Sequence, residues 1–204
     1  MNKLSLRDRK KEATAHALAE SAYQLALERG LDGFVVEDVV QRAEYSRRTF
    51  ANHFACKEEA VVMAAMSFDG VEEAEAELAK MPENATPLDV LYRWLKLQFT
   101  ADLFRKMRTL VSMSQQHPTL EPYILSLFRR LQREAQEALN ELFAGRHPEG
   151  YTHLLIGAVY GAILPIIDGS LQVQLPGDQV DETPDVVSFD QYLDRSFGYL
   201  RDGF

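Results

Sequence analysis

The stretch Val36–Lys57, VEDVVQRAEYSRRTFANHFACK, decides how the rest of the chain is read. Val36, Val39, Val40 and Ala43 recur at i, i+3, i+4 and i+7, one apolar face at helical spacing. Glu44-Tyr45-Ser46 interrupts that face as a turn, and Ser46 is placed to cap a second short helix with its hydroxyl. In the second helix Phe50 and Phe54 lie four apart and point the same way, toward a core. Arg47, Arg48, Thr49, Asn52 and His53 are left on the other faces. A recognition helix in a major groove needs large apolar groups behind it and donors in front, near its N-terminal end. Arg can read guanine, Asn can read adenine, and a Thr methyl can touch the thymine methyl. Arg, Thr and His can equally hold phosphates, which fixes register without reading sequence. A solvated helical hairpin fits the same stretch, and two basic residues beside a cap do not separate the two readings.

Across these positions the segment resembles the DNA-binding head of the TetR family of bacterial transcriptional regulators. The match runs from Val36 through Asp38-Val39, Ala43, Ser46, Thr49-Phe50, Asn52-His53-Phe54 and Lys57-Glu58-Glu59. The resemblance implies that Ser46, Arg47, Arg48, Thr49, Asn52 and His53 form the DNA-facing side, and that Lys57 holds a phosphate from the start of the next helix. The basic run Arg7, Arg9, Lys10, Lys11 would lie near the DNA backbone, or else be a solvated helix end. Some positions depart from the pattern. Val35 stands where a capping Thr is usual, and its loss should cost roughly 1 kcal/mol. Glu44-Tyr45 replaces Gly-Val, so a left-handed Glu44 would carry strain of roughly 1 kcal/mol. His53 replaces the commoner Tyr, and Ala51 is smaller than the usual aromatic.

The chain has 204 residues and is 46% hydrophobic, enough to bury a core. No apolar run reaches the length of a membrane span. The first residues, MNKLSLRDRKKE, are charged rather than apolar. A single cysteine, Cys56, excludes internal disulfides and fits a reducing cytoplasm, where Cys56 reads as a small loop residue. The net charge of −9 opposes nucleic-acid binding. However, residues 1–60 balance ten Lys/Arg against ten Asp/Glu, so all the excess acid lies beyond them. A locally basic face still acts on phosphate within a Debye length of roughly 10 Å.

Periodicity predicts an all-α chain of about nine helices, with a helix-turn-helix head over residues 1–56 and a helical ligand-binding and dimerisation body over 57–204. Residues 1–6 read as frayed. Ala15, Leu18, Ala22 and Leu25 make the first stripe, and Gly30 is its expected C-cap. A long helix is predicted from Lys57 to about Met81, with Val62, Met66 and the Phe68/Val71 pair inward and Glu72–Glu77 in solvent. Thr86-Pro87 should open a helix to about Met107, followed by a short one over Thr109–Gln116. Leu120–Phe143 reads as amphipathic, with Leu139 and Leu142 inward, and Tyr151–Leu175 as the most apolar helix, kinked at Pro165. Pro176–Ser188 is an acidic loop, and Ser188 caps a final helix striped by Phe189, Leu193, Phe197 and Leu200.

The body's expected roles come mainly from the resemblance. Helices near residues 151–175 and 188–203 would pair two copies into a homodimer, which implies a palindromic operator bound as double-stranded DNA. Trp94, Phe99, Phe104, Met107, Met113, Phe128 and Tyr160 could line a site for an unknown small lipophilic effector, although each also reads as ordinary core. Two rival classes remain. Catalysis finds no Gly-rich phosphate loop, HExxH, GxSxG or metal-ligand spacing, and no cofactor or metal is expected. A helical protein-interaction module without DNA binding is separable by the absence of a salt slope.

Overall fold

The computed structural model describes residues 5–65, 76–148, 150–176 and 187–203. Nine α-helices lie wholly within them: α1 Leu6–Arg29, α2 Val36–Arg42, α3 Arg47–Ala51, α4 Lys57–Met63, α5 Pro87–Gln98, α6 Ala101–Gln116, α7 Glu121–Leu142, α8 Tyr151–Ile167 and α9 Phe189–Asp202. Two 3-10 turns, Leu31–Gly33 and Pro118–Leu120, join them. Among the described residues there is no strand, only one isolated bridge between Gln174 and Ser188, and no helix is long and apolar enough to cross a membrane. The fold is all-α.

The chain divides into two compact units. The first takes in Met1–Ser67 together with Ser112–Leu127. Here α1 buries Leu18, Ala22, Leu25 and Ala26 against α4 and α2. Gly30 caps α1 at φ 73°, its N–H donating to the Ala26 carbonyl. Leu31 and Phe34 tuck in behind, 3% and 2% exposed. The turn Pro118–Leu120 lies against α4, with Leu120 fully buried. The Cys56 thiol, at the cap of α4, donates to the Tyr123 hydroxyl at 3.1 Å.

The second unit takes in Phe68–Val111 and Phe128–Phe204. Here α9 packs on α5. The Tyr92 ring meets Phe197 edge-on at 5.2 Å, and Arg201 pairs with Asp89 at 3.1 Å. The Tyr192 hydroxyl donates to the Ala162 carbonyl on α8 at 2.8 Å. Between α7 and α8, the Thr152 hydroxyl donates to Asn140 at 2.9 Å.

Several boundaries differ from the periodicity. Ser5 and Leu6 are ordered, because Ser5 and Asp8 close a capping box around the first turn of α1. Helix α4 ends at Met63; Met66, Phe68, Val71 and the start of the acidic run lie outside the described residues, and residues 76–78 are again helical. The helix predicted from Pro87 to Met107 breaks at Phe99, whose ψ of 75° is not helical. Thr100 restarts the chain, its hydroxyl accepting from the Leu103 N–H at 3.3 Å. Leu142 is 57% exposed rather than inward. Helix α8 stops at Ile167, where the Asp168 side chain accepts from the Ser170 N–H at 2.8 Å and Gly169 takes φ 80°. Most of the acidic loop after Pro176 lies outside the described residues. The caps at Thr86 and Ser188 form as the sequence requires.

Candidate nucleic-acid interface

Helix α2 starts without a hydroxyl cap. Val35 has no acceptor, so only the reciprocal half of a capping box exists: Asp38 accepts from the Val35 N–H at 2.9 Å. That bond, and then Arg29 at 3.3 Å, hold the Asp38 carboxyl below the usual carboxylate range. At the far end the Ala43 N–H donates to Val39 and the Tyr45 N–H to Val40, both at 2.9 Å. Glu44 sits between them at φ 58°, the single described non-glycine residue in the left-handed region. This closes α2 as a Schellman-type turn with a glutamate where glycine fits best.

Helix α3 follows immediately. The Ser46 hydroxyl accepts from the Thr49 N–H at 3.0 Å and lies 2.8 Å from the Thr49 hydroxyl. Phe50 and Phe54 are 3% and 6% exposed, with ring centroids 5.6 Å apart. They anchor the short helix from behind. Arg47, Arg48 and Asn52 are exposed on its other faces, with Thr49 and His53 half-buried. The seven expected residues therefore fall into two groups: Ser46 to His53 share the outer side of one capped turn and helix, and Lys57 does not.

Lys57 turns inward. Its ammonium donates to the Leu31 carbonyl at 2.7 Å and the Phe34 carbonyl at 2.8 Å, and sits 4.9 Å from the Phe34 ring centroid. Of the three ammonium donors, two serve the turn between α1 and α2 and one is left for a phosphate. Arg47 is also engaged, pairing with Glu37 at 2.7 Å. With side chains 76% and 55% exposed, that pair is weak and screened, so Arg47 can leave it for a base or phosphate. Sequence spacing did not single out Glu37; two residues beyond Val35, in the first turn of α2, it is the acid that meets the first arginine of α3.

His53 carries a pH signature. Burial, and then the nearby Lys11 charge, push its imidazole below the ordinary value, which favours the neutral form. Lys11 belongs to the basic end of α1, which is thereby placed close to α3. A phosphate beside His53 would favour the charged form, so binding would take up a proton. The expected result is duplex affinity that rises as pH falls from 7.5 to 6, by at most about tenfold per pH unit for one proton, and loses that dependence in His53→Gln. The sign for folding is opposite: with the folded pKa depressed, the unfolded chain holds more proton near pH 6, and stability declines as pH falls through the ordinary histidine range.

In the second unit, Phe104 is fully buried. It meets Phe189 edge-on at 4.7 Å and Phe99 at 5.3 Å, while Phe99 stacks on Phe189 at 6.1 Å. Phe99 and Phe104 thus share one aromatic cluster, which periodicity did not extend to Phe189. Met107 is 6% exposed; Trp94, Phe128 and Tyr160 are half-buried. Burial, with Glu134 nearby, raises the Tyr160 hydroxyl and keeps it protonated. Met113 falls within the residues of the first unit.

No family model matches the chain, and no curated protein matches it. Among solved structures, a Mesorhizobium loti protein assigned to the TetR family of transcriptional regulators aligns with a TM-score of 0.53 at 15% identity, over 92% of this chain and 95% of that one. A transcriptional regulator from Rhodococcus sp. Rha1 aligns with a TM-score of 0.46 at 21% identity, over 90% and 91% of the two chains. The Mesorhizobium structure shares this all-α fold over nearly its whole length.

Proposed function

We propose that the chain is a ligand-responsive DNA-binding transcriptional regulator without catalytic activity, working in the bacterial cytoplasm as a repressor that a small lipophilic effector releases from a palindromic operator. Residues 1–56 would be the DNA-binding head and residues 57–204 the ligand-binding and dimerisation body. The observation that carries the reading is helix α3: two phenylalanines bury its back while Arg47, Arg48 and Asn52 stand exposed beyond a hydroxyl cap. The Mesorhizobium protein of the same fold is assigned to a family of transcriptional regulators, which supports the same reading.

A homodimer is supported by an open face on α8. Leu154 and Leu164 are 76% and 37% exposed, and a methyl added at Gly157 or Gly161 between them would meet nothing within 4 Å. On α9, Tyr199 is 60% exposed. A two-fold contact would cover both surfaces. The effector would act by population shift, favouring a spacing of the two heads that does not fit the operator.

Selection of bound sequences from random duplexes tests the reading. A palindromic site with halves one helical turn or a multiple apart is expected, with a steep salt slope. On that site, Arg47→Ala or Asn52→Ala should each cost roughly 1–3 kcal/mol if they read bases. Recovery of no sequence, with no salt-dependent duplex binding, would sink the proposal and leave an interaction module. A single unrepeated half-site would remove the dimer.

A further inference from the structure

Several cations of the second unit pair with carboxylates. Lys96 meets Asp194 at 3.2 Å and Asp190 at 3.5 Å. Arg93 meets Glu77 at 2.9 Å, Arg130 meets Glu134 at 2.8 Å, and Arg201 meets Asp89 at 3.1 Å. These are surface pairs. Arg108, on α6, instead turns its guanidinium inward. Its Nε donates to the Ile166 carbonyl at 3.2 Å, in the last turn of α8. The N–H four residues on, at Ser170, is occupied by the Asp168 side chain, so Arg108 supplies that helix end with a donor it lacks. The Nε–H is thereby accounted for.

The neighbouring Nη2 is not. Arg108 Nη2 is sealed from solvent and has no hydrogen-bond partner, and it is the one buried side-chain polar atom among the described residues in that condition. A charged donor left unpaired away from water is costly, and folded proteins almost always provide it an acceptor. The two helices that Arg108 bridges are apolar nearby: Phe104, one turn earlier on α6, is fully buried, and Ile163, Ile166 and Ile167 on α8 are all buried. A buried cationic donor beside apolar side chains is complementary to a carboxylate on an apolar body.

We infer that the body takes a lipophilic acid, whose carboxylate accepts from Arg108 Nη2 while its apolar part lies against the surrounding Phe and Ile side chains. This rests on the proposal that residues 57–204 hold an effector and names its chemical class. A neutral ligand of equal size would leave the buried donor unmet, which is the basis of discrimination against it.

The probes are octanoate, dodecanoate, benzoate and 4-phenylbutyrate, each beside its alcohol, titrated calorimetrically into the full chain. At least one acid should bind saturably and about tenfold or more tighter than its alcohol. Arg108→Gln should weaken that acid by about 10- to 100-fold, the span expected for a charge-assisted hydrogen bond. The same variant should move the alcohol less than twofold and leave the far-ultraviolet dichroism unchanged, and Arg108→Lys should keep part of the preference. Three results overturn the inference: equal binding of acid and alcohol, acid binding that survives Arg108→Gln, or no binding by any acid. If Arg108→Gln also lowers Tm sharply while no acid binds, Arg108 serves the fold alone, and the inference fails. Operator binding by the same preparation separates the two readings. Acids that bind through Arg108 in a protein with no operator preserve the site and remove the regulator. An operator released by alcohols but not by acids does the reverse.

Discussion

Phe50→Ala is expected to destabilise the first compact unit by about 3–5 kcal/mol, the usual cost of emptying a buried phenylalanine site. Phe50 is 3% exposed and its ring lies 5.6 Å from that of Phe54, so its removal leaves a void directly behind α3. Helix α3 has only five residues. A helix this short has no stability of its own in water, and depends on that apolar back together with the Ser46 cap. Loss of duplex binding should therefore accompany loss of structure, equally for every sequence. The measurement is a denaturant titration of Phe50→Ala beside Arg47→Ala. Arg47 is exposed and its ion pair with Glu37 is screened, so Arg47→Ala should keep its stability and lose affinity only. A stable Phe50→Ala with normal duplex affinity would show that the phenylalanine pair does not hold the helix.

Lys57→Ala should cost about 1.5–3 kcal/mol of folding stability, the range for hydrogen bonds to a charged group. The figure follows from the inward ammonium, which holds the carbonyls of Leu31 and Phe34. A lysine that only touched phosphate would be silent in the free protein. Thermal unfolding without DNA thus separates the two roles: a lowered Tm assigns Lys57 to the turn between α1 and α2, and an unchanged Tm with weakened duplex binding assigns it to phosphate alone. Lys57→Met keeps the stem that packs beside the Phe34 ring and removes only the donors, so it should reproduce most of the loss.

What was legible in the sequence was local chemistry. Gly30, Ser46, Thr86 and Ser188 act at helix ends through neighbours within four residues, and each is found in its expected role. The buried faces of α1, α2 and α3 followed from spacing for the same reason. Misreadings came where an apolar rhythm ran through a break. Leu95, Phe99 and Leu103 keep helical spacing across the end of α5, and only Thr100, with Asp102 soon after it, marked the restart. After α8 the apolar residues continue through Leu171, Val173 and Leu175. Val173 and Leu175 are both 5% exposed at alternate positions, which is an extended period rather than a helical one. The Lys57, Arg47 and Arg108 contacts were not legible. Their partners lie on other elements, and no spacing rule connects a lysine to the carbonyls of residues more than twenty places earlier.

The left-handed Glu44 has a thermodynamic echo in the helical hairpin it closes. Its backbone is strained by roughly 1 kcal/mol wherever the turn is formed, and unfolding releases that strain. At 1.4 kcal/mol per decade, this corresponds to about a fivefold larger open population than a glycine would allow. Amide protons of residues 39–54 in Glu44→Gly should therefore exchange with deuterium about five times more slowly than in the native chain, in proportion to the quieter breathing of that hairpin.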